Sequence, residues 1–551
     1  MLNTEKWANC QVKSQKSILE DSPVIIRLEA SRGGFGGFWQ PGGASQIASP
    51  PHRLYFVGQP RPGGCVCKPC ANHPEVSLSR TLVMLLLLAI AVPASGGVDA
   101  YDRWFTGSTM RIDVYHTGTK GEEVISLDRV YREGDWPGSM VNLVDTLNLG
   151  EYLAQVYDRS SNQLIYSRGF STMFNEWQTT DEALAGIRRS FSTTVRLPYP
   201  RREIQVVIAK RDKRMIFHEL FSTVIDPASP AQVDREQRPV LFPVRALVQN
   251  GPPSKKVDIL ILGDGYTKAE MDKFRNDARR FNEVMFSTPP FSERKKDFNV
   301  WTIEVESRES GIDVPDKNLW KGNALGCSYN TFGSARYVLT ESNRVLHDIA
   351  AAAPYDFICI LVNDTRYGGG GIFNLYATTY TRELTKGQEW QMEYVYVHEF
   401  GHSFGGLGDE YYTSSTAYKD FYTPEAEPWE PNVTAMHDKG NLKWKAFLTA
   451  GVQLPTRWEK AKYDSVEGQI ARFDRLAPDF YEKREPLHRA AMAILKNPQY
   501  ADEVGAFEGA GYQSAGLYRP ALDCRMFSLS LVGFDPVCSA AIGRMIDFYA
   551  R

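Results

Sequence analysis

His398-Glu399-Phe400-Gly401-His402 is the stretch of this chain whose residue types and spacing best support chemistry. On a helix, side chains four positions apart lie on the same face, so both imidazoles can reach one zinc ion. Glu399 then lies beside the metal, where it can take a proton from a water that the zinc activates. The pattern implies metal-assisted hydrolysis. The same five residues also occur by chance on helices that hold no metal, so their surroundings matter.

Residues 390–397 contain no Pro and place Met392, Val395 and Val397 loosely on one helical face, which predicts a helix carrying both histidines on a buried or half-buried side. After it come Gly405, Gly406 and Gly408, followed by Asp409-Glu410-Tyr411. Closely spaced glycines end a helix and let the chain turn sharply. Such a turn can return an acidic residue to the metal as third ligand, leaving a fourth position for water. Asp409 is the favoured residue, although spacing alone does not separate it from Glu410. Ahead of the helix, the glycines 368–371 read as an exposed turn into an edge strand over 372–379. An open edge there would let an extended peptide add as a further strand.

The elements that must position these groups form two patterns. Residues 101–226 show short alternating strands, at 110–115, 152–157, 191–197 and 204–209, broken by Gly, Asn, Asp and Pro. That predicts an all-β sandwich with no catalytic signature of its own. Residues 227–236 read as a linker. From 237 to 551 strands alternate with helices: strands at 256–262, 298–305 and 355–363, a helix from about 269 capped by Thr267, another over 334–353, and a last one over 539–549. This implies an α/β class domain with α/β/α layers. The turn at Gly263 and Gly265 lacks the longer glycine pattern and the Lys-Ser/Thr of a nucleotide loop. Glu427, Glu430, Asn432 and Thr434 offer oxygen ligands for a structural Ca2+.

The 551 residues exceed what one hydrophobic core serves, and the net charge of -3 gives no basic field for nucleic acid. Residues 30–70 are rich in Gly and Pro. Arg80 then precedes an apolar run over 82–92 that is too short to span a bilayer, and small residues follow at Ala94 and Gly96. This reads as a signal peptide over 76–96, with 1–75 as an untranslated or disordered extension. The mature protein is expected to be secreted or periplasmic, monomeric and without stable membrane insertion. Export permits disulfides, and Cys524 with Cys538 is the preferred pair. Cys359 sits in an apolar strand and reads as a buried free thiol.

The chain resembles the M64 family of zinc metallopeptidases, whose founding activity is cleavage of immunoglobulin A. The matching stretches are residues 263–267, 331–337, 398–411, 508–512, 518–520 and 524–526. The family is metzincin-like. In metzincins the third ligand follows the second histidine by six residues, here Gly408; the resemblance places it one residue later, at Asp409. It further implies Zn2+ as cofactor, a methionine turn beneath the metal at Met526, and a cysteine pair at Cys524 and Cys538. A protein or peptide is the implied substrate, with Glu399 as general base and a tyrosine such as Tyr518 steadying the oxyanion. A cell-envelope or environmental protein suits the chain better than immunoglobulin, because nothing in it encodes recognition of an immunoglobulin hinge. The alternative is a catalytically silent zinc-containing module that binds protein or carbohydrate. Glu399 argues against it, since a purely structural site needs no acid there.

Overall fold

The computed structural model describes residues 98–551, apart from 382–388, 414–415, 417, 419–420, 423–424, 474–478 and 501. The expected signal peptide and the extension before it lie outside the described residues. Eight strands form the first part: β1 (Phe105–Gly118), β2 (Glu123–Asp135), β3 (Tyr152–Asp158), β4 (Leu164–Phe170), β5 (Arg189–Pro200), β6 (Ile204–Arg211), β7 (Phe217–Ile225) and β8 (Val233–Asp234). They make two four-stranded sheets, β5-β1-β2-β8 and β4-β3-β6-β7. Residues along β3 alternate between buried and half-buried, as a strand with one face on a core must. Its Tyr152, Ala154 and Val156 join Ile112 and Val114 of β1 and Leu197 of β5 in one apolar cluster between the sheets.

The second part is built on β9 (Val244–Val248), β10 (Val257–Asp264), β11 (Phe298–Ile303), the short pair β12 (Cys327–Ser328) and β13 (Leu339–Thr340), β14 (Phe357–Val362), β15 (Gly369–Ile372) and β16 (Tyr376–Tyr380). A six-stranded sheet runs in the order β15-β16-β14-β10-β11-β9. Its four inner strands are parallel, and the edge strands β9 and β15 are antiparallel to their neighbours. Every residue of β10 is buried, as an apolar strand covered on both faces requires. Ile259 and Ile261 meet the helices Met271–Met285, Glu389–Gly405 and Pro536–Tyr549. Leu260 and Leu262 face the other way, toward the helix Asn343–Ala350. The second layer is completed by the β-rich part, whose Met173, Phe174, Trp177 and Phe191 enter the same cluster. The β-rich part is therefore packed into the α/β core. A hairpin, β17 (Phe507–Ala510) and β18 (Gln513–Arg519), follows before the last helix. Among the described residues no helix is long and apolar enough to cross a membrane.

Two sequence expectations need correction. The helix expected over 334–353 is only Asn343–Ala350. The residues before it pair instead: Val338 donates to Gly369 O at 3.1 Å, and Leu339–Thr340 pairs with Cys327–Ser328. Tertiary hydrogen bonding overrides local propensity there. The glycine run is also not an exposed turn. It is the edge strand β15 itself, and Gly368, Gly369 and Gly370 are buried. The reason is close approach: a Cβ on Gly371 would lie 2.3 Å from the carbonyl oxygen of Glu399 on the helix above. The strand expected over 372–379 is β16, one place in from the edge.

Candidate metal centre

The helix Glu389–Gly405 is buried almost all round, with His398 buried and Glu399 and His402 half-buried. Each histidine is oriented through its Nδ1. His398 Nδ1 lies 3.0 Å from Arg525 O, and His402 Nδ1 lies 2.6 Å from Leu407 O. A carbonyl accepts only, so each Nδ1 carries the proton and each Nε2 keeps its lone pair. Those two Nε2 atoms lie 3.1 Å apart.

The turn after the helix supplies the third donor. Gly406 adopts a left-handed φ of 61°, and its N–H returns to His402 O at 3.1 Å. Asn432 then pins the chain by donating to Gly408 O at 2.9 Å and accepting from Gly408 N at 2.8 Å. Asp409 is thereby placed with Oδ1 at 3.0 Å from His398 Nε2 and 3.2 Å from His402 Nε2. Glu410 points the opposite way, as successive side chains of extended chain do, and its Oε1 accepts from Asn432 Nδ2 at 2.9 Å. Geometry thus separates the two acids that spacing left open.

The three donors fit a first-row divalent metal. Two imidazole lone pairs facing each other repel unless a cation lies between them, and separations near 3 Å are edges of a coordination tetrahedron. Asp409 Oδ1 is buried with no hydrogen-bond partner, which a metal ligand would satisfy. Without a metal the charges must pair instead. Burial opposes charging His402, but the Asp409 carboxylate prevails and raises its pKa to about 9. Burial also raises Glu399.

Tyr512 orients Asp409. Its hydroxyl donates to Asp409 Oδ2 at 2.5 Å, and its backbone N–H bonds Tyr411 O at 3.0 Å. Replacing it with Phe should weaken metal binding by about 10–100-fold in a chelator competition, as loss of such a supporting bond generally does. Unchanged affinity would remove this role from Tyr512.

His398, Glu399, His402 and Asp409 line a cleft of about 540 Å³ together with Arg336, Tyr411 and Gly371. Tyr518 does not line it. That side chain lies with Met436, Leu442 and Trp444 in a separate apolar cluster, and its backbone bonds Thr434. Among the tyrosines that do line it are Tyr411, whose ring stacks 6.3 Å from that of His398, and Tyr512. Met526 lies beneath the site helix, where a Cβ on Gly401 would come within 3.1 Å of its Sδ. The expected Ca2+ ligands are otherwise engaged. Glu427 pairs with Lys443 at 3.1 Å, and the Lys443 ammonium also donates to the carbonyls of Pro428, Glu430 and Val433. A lysine already occupies the place a calcium ion would take.

No sequence motif signals that the β-rich part reaches the cleft, yet Glu176 lines it. Glu176 Oε2 accepts from Tyr337 and, at 2.7 Å, from Tyr418. Burial raises its pKa from 4.5 to about 7, against the effect of those two donors. An acid raised on folding loses stability as pH climbs from its unfolded toward its folded pKa. In metal-free protein, Glu176→Gln should match wild type at pH ~4 and be more stable at pH ~8, by roughly 3 kcal/mol at most. Denaturant unfolding at both pH values measures this; an equal difference at both would reject it.

The expected cysteine pair is brought together without a bond: Cys524 and Cys538 are free thiols with Sγ atoms 3.8 Å apart. Cys359 is buried and free. Residues 245–546 match the family model described as IgA Peptidase M64, and residues 100–222 match the one described as Peptidase M64 N-terminus. No curated protein matches the chain.

Proposed function

Because the chain belongs to the IgA peptidase M64 family, and is thus a peptidase of metallo type, we propose that it is an exported, zinc-dependent endopeptidase with Glu399 as general base. The observation that carries this reading is the convergence of His398 Nε2, His402 Nε2 and Asp409 Oδ1 within 3.0–3.2 Å, beside Glu399 and open to a cleft. Export rests on the apolar run over 82–92 and the small residues after it.

Zinc held by these three residues would polarise the scissile carbonyl and acidify the attacking water. Glu399 receives that water's proton and passes it to the leaving amine. Burial keeps its carboxylate basic enough for this exchange. Tyr411 takes the oxyanion role first given to Tyr518. Its hydroxyl accepts from Arg336 at 3.3 Å, and burial followed by the Asp409 charge raises its pKa, so it stays a donor. β15 aligns the substrate. Gly369 uses its outward N–H and C=O on Arg336 and Val338. Gly371, two residues on, presents the same edge to the cleft.

The test incubates the purified protein, before and after chelation, with a mixed peptide library read by mass spectrometry. Internal cleavage that stops on chelation and returns with Zn2+ is expected. Bound zinc with no cleavage would favour a silent binding module instead.

A further inference from the structure

A second set of metal-type donors lies on the far side of Asp409. Glu410, Cys524, Asp535 and Cys538 each offer one ligand atom, and these atoms all lie within 4.8 Å of one another. Glu410 and both cysteines are fully buried, and Asp535 is 6 % exposed. We propose that these four residues form a closed structural zinc site, distinct from the catalytic centre and independent of the catalytic reading.

Four observations support it. The Sγ–Sγ separation of 3.8 Å is nearly twice a disulfide bond. It equals the edge of a tetrahedron with Zn–S arms of about 2.3 Å, which is about 3.8 Å. Cys538 Sγ lies 3.3 Å from Glu410 Oε1, which sets the Glu410 carboxylate against the sulfur pair. Cys524 Sγ accepts backbone N–H groups from Met526 at 3.5 Å and Asp535 at 3.4 Å, an arrangement that suits a sulfur bearing negative charge. Finally, Glu410 Oε2 and Asp535 Oδ2 are both buried without a hydrogen-bond partner. Two acids left so inside a core are costly unless a cation joins them.

The donors are held in advance. Asp535 Oδ1 caps the last helix by accepting from Val537 N at 2.7 Å and Cys538 N at 3.1 Å, which leaves Oδ2 for the metal. Asn432 holds Glu410 at 2.9 Å. A paired thiolate favours zinc over calcium or magnesium, and four protein ligands leave no open position, as in structural sites. The metal would tie together the ligand loop, the Met526 turn and the last helix. Glu410 N already bonds Met526 O at 2.9 Å. Through Glu410 it would also fix the backbone that carries Asp409.

Three measurements on the full chain test the site. The wild type is loaded with Co2+ and examined for thiolate-to-cobalt charge transfer in the near ultraviolet, which imidazole and carboxylate ligands do not produce. The same protein is weighed intact after denaturation, with its thiols alkylated. The His398→Ala/His402→Ala protein is then assayed for metal. We expect two metals per wild-type chain, one in the double variant, the charge-transfer band in both, and four alkylated thiols among Cys327, Cys359, Cys524 and Cys538. A wild-type spectrum lacking the band, or a mass showing Cys524 joined to Cys538, would overturn the site even if the variant failed to fold. Loss of all metal from a folded double variant would overturn it too. The catalytic proposal is untouched by any of these results.

Discussion

Glu399→Gln should keep its metal and lose about 10²–10⁴-fold in kcat/KM, the range a positioned general base contributes. Glu399 lies on the helix beside His398 and one turn from His402 and lines the cleft, but it is not among the three converging donors. Glutamine has the same shape and cannot accept a proton. Fold, metal content and substrate binding should therefore survive while turnover collapses. Cleavage of a defined peptide, with metal analysis of the same sample, measures this. Full activity in the variant would remove Glu399 from the chemistry, and loss of metal would make it a ligand.

Asp409→Ala should have a still larger effect, removing the metal and with it all cleavage above background. The variant would leave two Nε2 atoms 3.1 Å apart with no anionic donor to complete their site. It would also strip the Tyr512 hydroxyl of its acceptor. An unsatisfied buried hydroxyl adds about 1–3 kcal/mol of destabilisation. Glu410 cannot substitute, because Asn432 holds its carboxylate on the opposite side of the chain. Equilibrium dialysis against zinc and thermal unfolding read the two consequences separately. A variant that binds metal as tightly as wild type would displace Asp409 from the centre.

The residues bearing the most local information were the most legible. The i and i+4 spacing of His398 and His402 fixes their common face on any helix. The glycines after them require a turn. Thr267 and Glu270 form the capping box that begins the helical segment leading into Met271–Met285. The alternation in β3 and the apolar run of β10 announce one-faced and two-faced burial. The misreadings came where a residue's role depends on a distant partner. The run 368–371 reads as an exposed turn because its glycines answer to a helix about thirty residues later, Gly371 to Glu399. Tyr518 and Tyr512 lie six residues apart in one hairpin, yet only Tyr512 reaches Asp409. Nothing near Glu176 in sequence signals a cleft that also draws its walls from Lys120, Glu151 and Lys210 and from residues beyond 330.

By itself, the sequence determined the helix with two histidines and an acid, the turn that returns the chain toward them, and the division into a β-rich part and an α/β part. Those follow from backbone periods of 3.6 and 2 residues and from the conformations that glycine and capping side chains permit. The tertiary structure alone decided that Asp409 meets the histidines while Glu410 faces Cys538, that Glu176 enters the cleft, and that Lys443 engages Glu427 and the carbonyls around it. These contacts join residues 7 to more than 200 positions apart. Their distances are set by how sheets, helices and loops pack around a shared core, and no local period encodes that packing.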